Sequence, residues 1–579
     1  MSNKGIVFLS LATTLLFNLS LFSQEKELGT EVVNIVKPYS PTISDAFKVK
    51  ETPRLLDSTS TQKKKVKYTI FSVPVASTFT PVKGTASNIQ KPKREKTYDN
   101  YATLGFGNYT TILGELYSNF EISRTDNVGF FFRHNSSQGD IKGVKLDNKF
   151  YDTSLDATYT SRQRDATYSL DFGLEHQLFN WYGLNEEYQT YSEAVLDGID
   201  PKHSYFSGYL GGSMAFDNSI FEKAALNVRY LGDSFSSSEI NAVLKPEFTI
   251  PFEGLNLKVD GDIDYLAGSF DRDYFNTGGI KYSILNAGLA PSLSYVDDNL
   301  SVSLGVAGYV SMDTENSETE FSLFPRLKAS YRLLDESVII YGGAEGGLEQ
   351  NSYYYFKEQN PFVSPTLLYV LPTKNIYEGF AGIKGMVSNS VGYNLRASYG
   401  QDESKAFFQA NQLKTLATGL EGYEYGNSFN VVYDDLNTLE IFGELQFSVS
   451  KMLSLGVNAN YFNYKTDLQE HAWNLPEFKA TLFSNFNITE QLYGGVSIFY
   501  VGERNDLVLD AYSFPEVVTE VVTLDGYVDA NIHFGYRFTE RLSAFAKGSN
   551  LFSDNYTKWM NYPVQGIQVL VGATYKFDW

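Results

Sequence analysis

Five histidines, His134, His176, His203, His471 and His533, and no cysteine stand in this chain of 579 residues. No two of the five have the spacing of a metal-binding pair. Without cysteine neither a thiolate zinc site nor a disulfide framework can form, so no metal and no cofactor are expected. His533 lies four residues from both Asp529 and Arg537, on one face of any strand through them. A catalytic base there would need a serine or aspartate on a neighbouring strand; the other reading is a hydrogen-bonded wall histidine. No phosphate loop or hydrolase elbow occurs on a suitable strand and helix, so no catalytic residue is assigned and the chain is read as a non-enzyme.

Oxygen donors crowd at Asp313-Thr314-Glu315-Asn316-Ser317-Glu318-Thr319-Glu320, a run with the ligands for a hard cation such as Ca2+. It lacks the Asp-x-Asp-x-Asp-Gly spacing, and a solvated acidic loop is the alternative. Aromatic rings offer the third chemistry. Tyr353, Tyr354, Tyr355 and Phe356 precede Asn360-Pro361-Phe362, and Phe407 and Phe408 precede Tyr423 and Tyr425. In surface loops such clusters would stack on a sugar or an apolar chelate, with tyrosine hydroxyls adding hydrogen bonds. The competing reading folds them into a barrel mouth or an interfacial girdle.

What positions these residues is a pattern of period two. In the final segment Ile567, Val569, Val571, Ala573, Tyr575, Phe577 and Trp579 share one face, against Gln568, Gly572, Thr574, Lys576 and Asp578. One face suits lipid and the other water. In hydrocarbon every amide needs a partner, so such a strand belongs in a closed transmembrane barrel. Tyr575, Phe577 and Trp579 are read as its C-terminal barrel signal, addressed to barrel-assembly machinery. The composition agrees: 42 Tyr, 43 Phe, only 17 Pro and a net charge of −21, a balance that excludes nucleic acid as a partner.

The start, Lys4 followed by the apolar run from Ile6 to Phe17, reads as a secretory signal over 1–23. No later stretch reaches roughly 18 apolar residues, so no transmembrane helix is expected. Residues 24–98 carry six prolines and the basic runs Lys63-Lys64-Lys65 and Lys91-Pro92-Lys93-Arg94, and read as a periplasmic extension or a reduced plug. Residues 99–579 form the barrel. Strands are expected to begin near 100, 112, 127, 149, 164, 203, 222, 236, 254, 279, 298, 319, 336, 376, 390, 427, 452, 476, 491, 526, 541 and 566. Counting back from the C-terminus, short turns near 539–541, 487–490 and 450–452 alternate with long loops near 553–565, 504–523 and 467–475. Keeping that alternation makes 427–450 one strand and the total an even twenty-two.

Facing follows from parity. Val528, Ala530, Ile532, Phe534, Tyr536 and Phe538 should meet lipid, as should Leu439, Ile441, Gly443, Leu445, Phe447 and Val449, and Val338, Ile340, Gly342, Ala344, Gly346 and Leu348. A charge on such a face would cost about 2–4 kcal/mol at the midplane. None of the three carries one.

The ending Gly548-Ser549-Asn550-Leu551-Phe552 with Tyr556, then Asn561-Tyr562-Pro563 and the closing Tyr575-Lys576-Phe577, resembles that of TonB-dependent receptor barrels. Trp473-Asn474-Leu475-Pro476 and Tyr500-Val501-Gly502-Glu503-Arg504 are also similar to that family. The resemblance implies a porin-like outer-membrane transport and receptor barrel of a Gram-negative bacterium, taking up a scarce, bulky ligand at its extracellular mouth. TonB or another periplasmic or outer-membrane protein would be its partner. The departure lies at the N-terminus, where about 75 residues replace a full plug and Glu31-Val32-Val33-Asn34-Ile35-Val36 resembles a TonB box only loosely. A non-enzymatic subunit of an outer-membrane assembly or secretion complex is the alternative function.

Overall fold

The computed structural model describes residues 97–578 except 187–190, 218, 253–254, 276–277, 415–418, 511–517 and 553–554. The expected signal peptide, nearly all of the 24–98 extension, and Trp579 lie outside the described residues. Twenty-two strands form one antiparallel sheet that closes on itself, with two small hairpins, Arg504–Asp510 with Val518–Leu524 and Thr557–Trp559 with Tyr562–Pro563, outside it. Closure is made by the last strand, Gln568–Phe577, pairing along the first, Asn100–Gly107, with Ala102 opposite Tyr575 and Phe106 opposite Val571. Across that seam the Thr103 and Thr574 hydroxyls meet at 2.9 Å. No edge is left in the sheet.

Each expected strand start falls within three residues of an observed one, and Phe429–Ser450 is a single strand of 22 residues. Connections of two to four residues follow every second strand, among them 451–452, 488–491 and 538–541. The opposite end carries the long loops 181–201, 350–372, 411–428 and 550–567. Short turns mark the periplasmic end and long loops the extracellular one.

Alternation decides which side chains meet lipid. Leu439, Ile441, Leu445 and Val449 are exposed on the outer wall while Glu440 between them is 5% exposed. Val528, Phe534, Tyr536 and Phe538 likewise face outward, as do Val569, Val571 and Tyr575 in the closing strand. Three residues depart from the parity assignment, Ala530, Leu348 and the buried Gly346 just before it. Ala530 is buried, because Leu551 folds back and its amide donates to the Ala530 carbonyl at 3.2 Å. Leu348 packs against the buried cluster of Ala290, Ala307, Tyr309 and Phe324; a register shift just before it, between Glu345 and Gly347, breaks the alternation.

A recurring pair fixes register on the wall. Tyr282 lies across from Gly268, Tyr309 from Gly288, Tyr493 from Gly535 and Phe545 from Gly572. Each ring lies flat on the glycine, so that a Cβ built there would come within 2.2 to 2.4 Å of it. The aromatic ring occupies the volume the glycine leaves and shields its backbone. Side chains thereby lock neighbouring strands across the wall.

The acidic run is not the loop expected from its composition. Asp313 ends one strand and Glu318 to Glu320 begin the next, leaving a tight turn in which the Asp313 carboxylate accepts from the amides of Glu315 and Asn316 at 3.0 and 2.9 Å. Glu320 pairs with Lys374 at 2.5 Å. Asp313 and Glu320 are spent on the turn and on an ion pair.

Candidate functional site: an aromatic closure of the extracellular mouth

The loop 350–372 emerges between the thirteenth and fourteenth barrel strands and does not stay there. Its neck is clasped by Asn351, whose Nδ2 donates to the Leu371 carbonyl and the Thr373 hydroxyl, both at 2.8 Å. Beyond the neck, Ser352 caps a short helix, Tyr353–Gln359, by accepting from the Tyr355 amide at 3.0 Å. Tyr353, Phe356 and Lys357 are spaced i, i+3, i+4 and make one buried face. That face reaches the lumen side of the fifth to eighth strands, far around the ring from where the loop began.

The reach is secured by polar contacts. The Lys357 ammonium, fully buried, lies 2.7 Å from the Gln177 Oε1 and 3.2 Å from Glu175, with Glu358 of its own helix at 2.7 Å. The Tyr353 hydroxyl donates to Asp233 at 2.9 Å. Glu239, 3% exposed, accepts from the Tyr353 and Tyr354 amides at 2.7 and 3.1 Å and from the Tyr282 hydroxyl at 2.7 Å. A carboxylate on the free amides that begin a helix is favourable. Arg229 of the seventh strand sits over the Tyr354 ring at 4.1 Å.

Around the helix, loops from the whole ring interlock. Phe362 stacks on Tyr562 at 3.7 Å, and the Tyr562 hydroxyl donates to the Asn427 carbonyl. The Trp181 indole donates to the Phe362 carbonyl at 3.1 Å and the Tyr205 hydroxyl to the Pro361 carbonyl at 3.2 Å. Trp181 is also stacked on His203, whose Nε2 lies 3.3 Å from Asp233. The result is one apolar core across the mouth, built from Tyr353, Phe356, Val363, Phe408, Phe429, Tyr562 and their neighbours.

Of the aromatics expected to contact a ligand, the structure gathers most into this closure rather than presenting them. Tyr353, Phe356, Phe407, Phe408 and Tyr423 are all buried. Phe407 and Phe408 separate: a bulge between Asp402 and Lys405, with Ser404 at φ +54°, turns Phe408 into the mouth core and Phe407 against Leu436 and Trp473. Tyr423 packs beside Trp181 and Phe235, and its hydroxyl accepts from Arg272 Nε at 3.1 Å. Burial pushes that phenol up to about 12. Tyr354 and Tyr425 are half-buried, and Tyr355 is exposed. Tyr369, 57% exposed on the same loop, was not singled out by composition.

Sequence patterns missed the anchoring groups, Glu175, Asp233, Glu239 and Lys357. The spacing of Tyr353, Phe356 and Lys357 behind Ser352 is the one local signal that points to an inward helix. His533 faces the lumen opposite Lys547 of the next strand. Among the described residues no group of three or more His, Cys, Asp or Glu side chains has the arrangement of a metal site.

No protein-family model and no curated protein matches the chain. Solved structures do. The chain is similar to the ferric-catecholate import receptor Fiu of Escherichia coli K12 (TM-score 0.60, 11% identity, 84% of this chain and 82% of that one). It is similar to the Pseudomonas aeruginosa receptor FpvA in complex with pyoverdine (TM-score 0.60, 12%, 83% and 72%) and to the siderophore receptor PirA of Acinetobacter baumannii (TM-score 0.59, 14%, 84% and 81%). At these identities the likeness is one of fold. The chain is a closed antiparallel β-barrel with the 22-strand fold of the TonB-dependent receptors.

Proposed function

We propose that the protein is an outer-membrane uptake receptor that captures a scarce, bulky nutrient at its extracellular mouth and passes it through the lumen, and that it is not an enzyme. The carrying observation is the convergence of four loops, 181–201, 350–372, 502–526 and 550–567, with the strand ends around them on one aromatic closure above a polar bore, in a barrel of the fold used by import receptors. Lumen-facing Lys245 and Lys328 keep side-chain exposures of 59 and 60%, so the lining of the bore is polar and charged. The ligand contacts are Tyr355, Tyr354 and Tyr425, with Tyr353, Phe356, Phe407, Phe408 and Tyr423 as the packed layer beneath them. Residues 24–98 act as the periplasmic segment that engages TonB or another periplasmic partner.

Fiu is a ferric-catecholate import receptor, PirA a siderophore receptor and a further structural neighbour, OprC, a copper transporter, so ferric siderophores and copper are the first ligands to test. The gene should be required for growth when one of them is the sole metal source, and deleting 24–98 should abolish that growth while the barrel still inserts. Normal growth without the gene on every such source would reject the reading. Stoichiometric recovery of an outer-membrane assembly complex with the chain would favour the subunit alternative instead.

A further inference from the structure

We propose that a small inorganic oxyanion of the phosphate or sulfate class is held where the extracellular hairpin meets loop 550–567, between the Arg504 guanidinium and the amines of Lys479 and Lys558, and that it ties these elements to the barrel wall. The ion is a resident part of the structure, not the cargo, and the inference does not depend on the uptake reading.

Three cations from three elements meet there without a counter-charge. Arg504, the first residue of the hairpin, is buried and spends its terminal nitrogens on carbonyls: Nη1 donates to Lys558 at 2.6 Å, and Nη2 to Thr557 at 2.9 Å and Asp525 at 3.4 Å. The guanidinium also lies 5.3 Å from the centre of the Tyr527 ring, which stacks on Tyr556 at 3.8 Å, so its position is fixed. Its Nε, sealed from solvent, has no acceptor. Lys479 enters from the barrel wall: it stands across from Val501, which is itself across from Tyr527, and its neighbour Phe478 is exposed on the outer face. Arg504 repels both amines. Burial and that repulsion bring the Lys558 amine, in the loop outside the membrane, from 10.5 down to about 8. Among the described residues neither amine has a hydrogen-bond or ion-pair partner. The nearby carboxylates are bonded elsewhere. Glu440 accepts from Asn460 at 2.6 Å and Ser398 at 3.3 Å, Asp529 from the Tyr556 hydroxyl at 3.3 Å, and Asp506 from Asn474 at 3.0 Å. Gathering like charges away from water is unfavourable unless an opposite charge enters with them. A tetrahedral oxyanion supplies what is lacking, because its acceptors point in several directions and one ion can take the Arg504 Nε hydrogen and both ammonium groups through charge-assisted bonds.

Full-length protein, refolded and freed of phosphate, should take up one radiolabelled orthophosphate per chain in equilibrium dialysis at constant ionic strength. Sulfate should compete for it, and chloride about tenfold less well. Lys479→Met and Lys558→Met remove amines that bond to no other described residue, so neither costs the fold a hydrogen bond. Each should weaken phosphate binding about tenfold. Phosphate should also slow amide exchange in Arg504–Asp510 of the unaltered chain and leave it unchanged in the double lysine variant. Arg504→Gln should abolish binding, but it also frees the loop carbonyls, so the lysine variants are the deciding ones. Protein that is folded by its heat-dependent gel migration and binds neither phosphate nor sulfate would overturn the proposal. So would lysine variants that bind phosphate as the unaltered chain does, or chloride that binds as tightly as phosphate. None of these measurements involves transport, and their failure leaves the uptake reading standing.

Discussion

Single residues in the closure are exposed to two opposed demands, apolar burial and the satisfaction of charge. Asp506, on the extracellular hairpin, is fully buried and accepts from the Asn474 side chain and from the amides of Ala410 and Leu507. Burial outweighs those bonds and pushes its carboxyl from 3.8 up to about 6. A raised folded-state value means the proton is held more tightly when the hairpin is docked. Its contribution is therefore complete below pH 3.8 and is lost as pH rises through about 6, a difference on the order of 3 kcal/mol. Amide exchange in Arg504–Asp510, corrected for intrinsic rates, should show stronger protection at pH 4 than at pH 7, and Asp506→Asn should remove the difference. Equal protection of the unaltered chain at both values would contradict this. At the mouth, Tyr355→Ala should weaken ligand binding by roughly tenfold, the loss of one stacked ring at about 1.4 kcal/mol, without changing barrel stability. A titration that finds no change would remove Tyr355 from the contact. These residue roles were the least legible part of the sequence. Trp181 and Phe362, or Lys357 and Gln177, are about 180 positions apart, and no local pattern announces such a meeting.

At the scale of elements the reverse holds. Strand positions follow from a period of two, which the membrane enforces on every spanning segment because one face meets lipid and the other water. Phe429–Ser450 illustrates it: the adjacent carboxylates Asp434-Asp435 interrupt its pattern, yet loop alternation requires one strand, and one strand is present. Alternation fails where a bulge or a folded-back loop intervenes, as at Leu348 and Ala530. Loops have no such period, and Tyr353 to Phe356 read as a surface patch until their helical spacing is weighed. The ring-on-glycine pairs add a testable element. A Cβ at Gly535 would sit 2.2 Å from Tyr493 Cζ, so Gly535→Ala must expel the ring. The expected cost is about 1–3 kcal/mol by overpacking. Tyr493→Ala should be destabilising alone, yet the double variant should be less damaged than the sum, because the ring that clashes is already gone. Additive losses in urea unfolding of the refolded barrel would show that the pair is not coupled.

For the whole molecule the decisive contact is the seam. The last strand is hydrogen-bonded on both sides, to Leu542–Ser549 and to Asn100–Gly107, and the side chains along it alternate between lipid and bore. Remove it and two edges, each a row of unpaired amides and carbonyls, would face hydrocarbon, at a cost of several kcal/mol for each unsatisfied group. The aromatic core at the mouth does not offset that, since its contacts lie at the extracellular end and the unpaired rows run through the membrane. A chain ending before residue 566 should therefore fail to give the compact, heat-modifiable species in detergent or lipid and should aggregate. The paired change Tyr575→Ala with Phe577→Ala should behave differently. It keeps the backbone ladder, so the folded barrel should form once inserted, while the rate of assembly into membranes by the insertion machinery falls. If the aromatic pair proves as damaging to final folding yield as the deletion, then Tyr575 and Phe577 hold the seam itself and the reading of them as an assembly signal is wrong.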